Sequence, residues 1–368
     1  MENRASYIPT EDLTAHPAVC AWSTLHHGAA RPRSIQALRA PRKRKHKSCT
    51  FRLDEIGPRG SSIVAKLCLR ETAELERLIY ENILPNLPIP RLEYYGTIGS
   101  EDPEMDWIFV EDAGDDRYSR NDEVHRRLAA EWIGTLHVSA WDLPALKQLP
   151  DRGPAHYLNC LRSARQRIEA SRSNPVITRD QRTVLDRVDA YLQLFEGSWS
   201  ELERLCQSMP RTLIHGDLGG RNGRIRNNGD HRTLVVFDWE TAGIGVPAGD
   251  LTSSRIDALS CCLRTYFSAT KEVWPFLTLE DIVMFERIGR IFRVIAAIDW
   301  ASVELSIERA DCLPKPVSCM RSYLERIEYE LQDPVWPAQF GGISGTFRNV
   351  SQPVGTISYS ELGCGLKE

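Results

Sequence analysis

The sequence predicts an α+β protein: a small antiparallel-sheet region carrying one key helix, then a larger, mainly helical region. Three observations predict it. Short runs rich in apolar and β-branched residues, separated by turn residues, fill positions 34–111. From position 122 onward apolar residues recur at helical spacing. Inside that helical region one stretch, 211–251, breaks the pattern with two short apolar runs on either side of Asn227-Asn228-Gly229-Asp230.

The elements follow in order. Residues 1–16 show no pattern and read as a flexible N-terminus. Residues 34–39 read as a first strand, 49–56 as a second and 61–69 as a third, with Gly57-Pro58-Arg59-Gly60 as the turn between the last two. Lys66 falls inside the third strand, where an unpaired ammonium is costly, so a carboxylate partner is expected. The helix expected next, 71–84, carries Glu74 and Glu76, either of which could reach the lysine, and Leu75, Leu78, Ile79 and Leu84 near one face. Pro85, Pro88 and Pro90 end it. Strands at 91–97 and 107–111 complete the sheet. Asp112-Ala113-Gly114-Asp115 marks a change of composition, and the boundary between an N-terminal region, 17–112, and a C-terminal region, 113–336, is placed there. Helices are expected at 122–139, with Val124, Leu128, Trp132 and Leu136 as the buried face, and at 157–170, 180–195, 252–267, 279–307 and 319–331. His137 reads as a core histidine. Thr278 and Asp281 make a capping pair for the long helix. The tail, 337–368, is rich in Gly, Ser, Thr and Pro and reads as flexible.

In the stretch 211–251, Asn-Gly readily takes positive φ, so residues 227–230 form a hairpin turn. The hairpin brings Asn222, at one base, close to Asp238, just past the other. Two oxygen-bearing side chains then converge beside Asp217, which suits a hard cation such as magnesium. One carboxylate for a hydroxyl, and an amide and a carboxylate for a metal, is the set that phosphoryl transfer requires.

Composition sets the class. The chain of 368 residues is 42% hydrophobic and 26% charged, ordinary for a globular enzyme. A net charge of −4 and a pI near 6.2 argue against a general nucleic-acid binder. No apolar run reaches membrane-spanning length, and the N-terminus lacks the pattern of a signal peptide. The ten cysteines contain no CxxC pair and read as reduced thiols, so a cytoplasmic location is expected.

The string His215-Gly216-Asp217-Leu218-Gly219-Gly220-Arg221-Asn222, followed by Asp238-Trp239-Glu240 and by Gly245-x-Pro247-x-x-Asp250-Leu251, resembles the aminoglycoside phosphotransferase and choline kinase group of protein-kinase-like enzymes. The resemblance extends more faintly over residues 17–310. Val64-Ala65-Lys66 looks like the nucleotide-lysine strand, and the run from Glu76 through Pro90 is similar to the family's glutamate helix, which favours Glu76 over Glu74. Leu136-His137 resembles a pair on the family's first large-lobe helix. The resemblance implies a two-lobed protein-kinase-like fold, ATP and magnesium as cofactors, and a small-molecule hydroxyl acceptor. It implies that Lys66, oriented by Glu76, holds phosphates. It implies that Val110, Glu111 and Asp112 form the hinge offering backbone groups to adenine, that Asp217 takes the hydroxyl proton, and that Asn222 and Asp238 hold the metal. His215 reads as a brace for the loop, and Asp250 as a structural anchor.

One departure stands out. Where the family often has a glycine-containing phosphate turn, residues 39–48 are strongly basic and contain no glycine. This segment is either a solvated turn or a set of side chains that meets phosphate. A nucleotide-binding pseudokinase or interaction module is the alternative from another class, and Gly219-Gly220 leaves the acceptor side open. Asp257, Asp299, Glu304 and Glu308 are the acidic candidates for meeting a cationic acceptor such as an amino alcohol or aminoglycoside, beside a sugar as the neutral option. Trp300 is a candidate wall of that site.

Overall fold

The computed structural model describes residues 6–7, 13–39, 48–229, 231–251, 259–309 and 312–331, and of residues 6–7, 228 and 259–261 only the backbone. The basic segment 40–47, Asp257 and the tail from 332 lie outside the described residues, as do the expectations made for them.

The chain divides into two compact units, 1–149 with 217–242, and 150–216 with 243–368. In the first unit come β1 (Ser6–Tyr7), α1 (Pro17–Leu25), β2 (Ile35–Arg39), β3 (Cys49–Leu53), β4 (Ile63–Leu69), α2 (Arg70–Leu78), β5 (Tyr94–Gly99), β6 (Met105–Glu111) and α3 (Glu123–Ala140). The second unit then takes β7 (Asp151–Arg152), α4 (Pro154–Ala170), α5 (Arg179–Gly197), α6 (Trp199–Cys206) and β8 (Thr212–Ile214). The first unit takes β9 (Gly223–Asn228) and β10 (His231–Val236). The second ends with β11 (Gly243–Gly245), α7 (Leu259–Thr270), α8 (Leu279–Ser302) and α9 (Pro314–Glu330).

The sheet of the first unit is antiparallel throughout, in the order β1-β2-β3-β4-β6-β5. Alternation along β4 decides its two faces. Ile63 and Ala65 join Phe51, Leu53, Trp107 and Phe109 in a core that Ala18, Val19 and Trp22 of α1 cover. Each large apolar side chain buried there contributes about 1.5–3 kcal/mol. Lys66, one residue on from Ala65, therefore sits on the opposite face. There α2 begins directly at the end of β4 and turns Ala73, Glu76, Ile79, Tyr80 and Ile83 inward. The helical turns widen over Ile79–Ile83 and tighten over Leu84–Asn86 before the prolines stop them.

One expectation shifts for a geometric reason. The face of α3 was expected at strict four-residue spacing. Four residues advance about 40° beyond a full turn, so such a stripe drifts off the core. Val124 is 44% exposed, while His125, Ala129, Trp132, Ile133, Leu136 and His137 are buried. The first compact unit runs on through α3 to residue 149. The reason is that α3 packs on β10, with Trp132 against Trp239 at 6.1 Å between ring centroids, and donates the Trp132 indole N–H to Pro90 O at 3.2 Å.

In the second unit β8 pairs antiparallel with β11, which pairs parallel with β7. Helix α8 lies against α4, α7 and α9. Gly289 permits its close approach to the 247–251 turn: a Cβ there would stand 2.1 Å from Ala248 O. The Thr278–Asp281 capping pair is formed in both directions. Helix α1, helix α6 and the two-residue strands β1 and β7 were not expected from sequence. The strands are two residues long and depend on their pairing partners, too little to leave a periodic signature.

Candidate active site

The hairpin expected from Asn-Gly is present. β9 and β10 pair with Asn228 opposite His231 and Gly223 opposite Val236, and Gly229 takes φ +64°. At its base the Phe237 N–H donates to Asn222 O at 3.0 Å, which sets Asn222 beside the strand end carrying Asp238. Asp238 has φ 68° and ψ 67°, a left-handed backbone for a non-glycine residue. Such a conformation costs about 1–3 kcal/mol and persists only where its surroundings hold it.

Asp238 is in contact with Lys66. The lysine Nζ bonds Glu76 Oε1 at 2.6 Å and also Asp238 Oδ1, and Glu240 Oε2 lies 4.0 Å away. The lysine and Glu76 are buried. Glu74 is exposed, since two residues along a helix turn the side chain about 200° away. Burial works against the Lys66 charge, yet Glu76, Asp238 and Glu240 outweigh it and hold the ammonium well above its ordinary range. Burial also pushes the Glu76 carboxyl up, Asp238 adds to that, and Lys66 only partly offsets it. Glu240 is raised too, by burial and then by Asp238, with Lys66 and Arg39 acting in the other direction. The carboxylates outnumber the lysine at this point. Glu240 was read from sequence only as part of a motif, although its place two residues after Asp238 signals that it shares the same loop.

Asp217 and Asn222 form a second cluster. The Asn222 Nδ2 donates to Asp217 O at 2.9 Å and to Asp217 Oδ2 at 3.2 Å. Its N–H closes a turn onto Gly219 O at 3.0 Å. Asn222 is buried and Asp217 half-buried. The loop is less open than two glycines suggested. Arg120 donates to Leu218 O at 3.0 Å, and its guanidinium would be 3.3 Å from a Cβ on Gly219.

His215 is fully buried. Asp250 anchors the backbone beside it, accepting the His215 N–H at 2.8 Å and the Gly216 N–H at 2.7 Å, one on each carboxylate oxygen. Gly216 takes φ +78°, which glycine adopts without strain.

The hinge residues are bound within the protein. Val110 pairs with Val64 and Tyr94 across the sheet. The Glu111 N–H donates to Glu93 O at 2.8 Å, and its carboxylate meets Arg226 at 2.9 Å. The Asp112 carboxylate meets Arg52 at 2.8 Å, and its C=O accepts from Arg226 at 3.2 Å.

Among the described residues no group of three or more His, Cys, Asp or Glu could hold a metal by itself. Asn222 turns its amide nitrogen to Asp217, which leaves the amide oxygen for a cation, with Asp238 as the neighbouring carboxylate. Such an oxygen pair, completed by phosphate oxygens, fits magnesium, which is held by one or two carboxylates plus substrate rather than by an all-protein cage. Of the acidic acceptor candidates, Asp299 is paired with Arg167. Glu308 is exposed, and Trp300 lies under the Arg293 guanidinium at 5.3 Å. No helix among the described residues is long and apolar enough to cross a membrane. All the cysteines whose side chains are described are free thiols.

The fold is found in known structures. The GDP complex of wild-type aminoglycoside 2'-phosphotransferase-IIIa matches with a TM-score of 0.58 and 12% identity, over 86% of this chain and 99% of that one. An ethanolamine kinase from Plasmodium vivax matches at 0.55 and 16%, over 83% and 86%. A choline kinase from Cryptosporidium parvum Iowa II matches at 0.54 and 11%, over 81% and 90%. At these identities the likeness carries the protein-kinase-like fold. No curated protein matches the sequence. Residues 57–270, more than half of the chain, match the Phosphotransferase enzyme family (APH). With Lys66, Glu76, Asp217, Asn222 and Asp238 inside that span, the chain belongs to the Phosphotransferase enzyme family.

Proposed function

We propose that the chain is an ATP- and magnesium-dependent kinase that transfers the γ-phosphoryl group to a hydroxyl of a small molecule. The observation that carries this reading is the buried Lys66–Glu76 pair in contact with Asp238, next to the Asp217–Asn222 pair.

Lys66 binds nucleotide phosphates, and Glu76 keeps its ammonium charged and aimed. Asp217 orients the acceptor hydroxyl and takes its proton. Asn222 and Asp238 would hold the magnesium, which supplies neutralisation of phosphate charge when bound. Val110, Glu111 and Asp112 border the base of the nucleotide, and His215 braces the loop. The acceptor classes that the resemblance supports are amino alcohols, sugars and aminoglycosides. The solved relatives named above are an aminoglycoside 2'-phosphotransferase, an ethanolamine kinase and a choline kinase. A pseudokinase would be expected to lack one of these groups, and all of them are in the sequence.

The test is ATP consumption by the purified chain with magnesium over a library covering those three acceptor classes, followed by Asp217→Asn. We expect turnover with at least one acceptor. In the variant, transfer should fall about 100-fold or more while nucleotide binding persists. No turnover with any member overturns the kinase reading. Loss of nucleotide binding in the variant overturns the role given to Asp217.

A further inference from the structure

The segment after β6 runs along β9 and is fastened to it. The Tyr118 N–H donates to Gly223 O at 3.2 Å, the Ile225 N–H donates to Asp116 O at 2.8 Å, and Arg117 faces Arg224 in an isolated antiparallel bridge. Two arginines on β9 add to this. Arg224 and Arg226 are two residues apart, so they leave the strand on the same side. Their partners differ.

Arg224 donates Nε–H to Gly114 O at 3.1 Å. Its Nη1 meets Arg221 O at 3.1 Å, Gly223 O at 2.9 Å and, more weakly, Gly220 O at 3.4 Å. Its guanidinium lies over the Phe237 ring at 5.1 Å, one residue before Asp238. It thus touches the segment after the hinge, the catalytic loop and the strand end that carries Asp238. Arg226 meets only the hinge side: the Glu111 carboxylate at 2.9 and 3.3 Å and Asp112 O at 3.2 Å.

We propose that Arg224 and Arg226 are positioning residues with separate tasks, Arg224 bracing the catalytic loop and Arg226 bracing the hinge. The proposal rests on the kinase reading above. In-line transfer requires the donor phosphate and the acceptor hydroxyl to be set within a fraction of an ångström, and a misplacement of about 1 Å costs about 100-fold in rate. Gly219 and Gly220 supply no side chains to stiffen the loop from within. The planar fork of Arg224 does so from outside, collecting several loop carbonyls at once. Lysine keeps the charge at either position but offers a point donor that cannot span these acceptors.

The experiment is steady-state kinetics of wild type, Arg224→Lys and Arg226→Lys, with melting temperatures and amide hydrogen exchange on the same three proteins. Arg224→Lys should lower kcat about tenfold or more with the nucleotide KM within about twofold of wild type. Arg226→Lys should raise the nucleotide KM about tenfold with kcat within about twofold. Exchange at Tyr118 and Asn222 should speed up in Arg224→Lys and stay as in wild type in Arg226→Lys. Parallel losses in kcat and KM that track melting temperature, or no change in either variant, overturn the proposal. If the wild type binds nucleotide yet transfers nothing, the kinase reading falls. The exchange data then decide alone: wild-type protection at Tyr118 and Asn222 in Arg224→Lys overturns the brace.

Discussion

Lys66 Nζ stands 2.6 Å from Glu76 Oε1, with both residues buried, and the same ammonium also bonds Asp238. One lysine therefore ties β4, α2 and the end of the β9–β10 hairpin together. Each partner is placed by a different local rule: strand alternation for Lys66, helix phase for Glu76, and a left-handed residue for Asp238.

Removing the lysine should be felt in folding as well as in binding. Lys66→Met leaves Glu76, Asp238 and Glu240 close together without their cation. Breaking a buried pair in this way typically costs about 3–5 kcal/mol. Glu76→Gln should cost less, because Lys66 keeps Asp238, yet it should weaken nucleotide binding. Denaturant unfolding and nucleotide titration of both variants check this. A Lys66→Met protein as stable as wild type would show that the three carboxylates do not depend on the lysine.

Asp250 is expected to matter for the shape of the catalytic turn. Its two oxygens accept the N–H groups of His215 and Gly216, at 2.8 and 2.7 Å. Asparagine has only one acceptor oxygen and would point an NH2 at the other donor. Asp250→Asn should lower stability by about 2 kcal/mol and reduce turnover, since it loosens the residues next to Asp217. The measurement is the shift in urea midpoint at constant m-value. A change within about 0.5 kcal/mol would refute the anchor.

A histidine outside the proposed chemistry sets a pH dependence. Nη1 of Arg152 on β7 lies 3.3 Å from Nδ1 of His156 on α4, and His156 Nε2 lies 3.7 Å from Cys160 Sγ. An arginine only donates, so Nδ1 must accept, and protonation there would set a positive charge against the guanidinium. Burial, and then Arg152, pull the His156 pKa down from 6.5 to about 4. Between these values the unfolded chain binds more protons than the folded one, so stability supplied by this group is present above 6.5 and is lost as pH falls toward 4. His156→Gln should therefore show a shallower drop in melting temperature from pH 7 to pH 4.5. Identical pH profiles for the variant and wild type would exclude His156 as the source.

Much of the site was legible because its signals are local. Asn-Gly encodes a hairpin whatever surrounds it, and the hairpin alone brings Asn222 beside the end of the strand before Asp238. A lysine in an apolar strand demands a carboxylate, and a glutamate followed by inward-facing residues at helical spacing is placed to supply it. The parts that were missed have no local signal. Glu240 reads as an ordinary loop acid until Lys66 is brought to it from 174 positions earlier in the chain. Arg224 and Arg226 carry no signal in the sequence, and their partners appear only when the segment after β6 lies along β9. The Gly219-Gly220 loop reads as open until Arg120 is folded against it.

The sequence by itself determined most of the elements, the family and the choice of Lys66, Asp217, Asn222 and Asp238 as site candidates, since turn chemistry, residue spacing and the cost of a lone buried charge act over a few residues. Tertiary structure decided which glutamate faces the lysine, which acids are paired, and where the compact units divide. Those outcomes depend on contacts between segments far apart in the chain. The first compact unit joins 1–149 to 217–242 because α3 packs on β10 and sets Trp132 against Trp239, a surface that the chain does not build until about a hundred residues later.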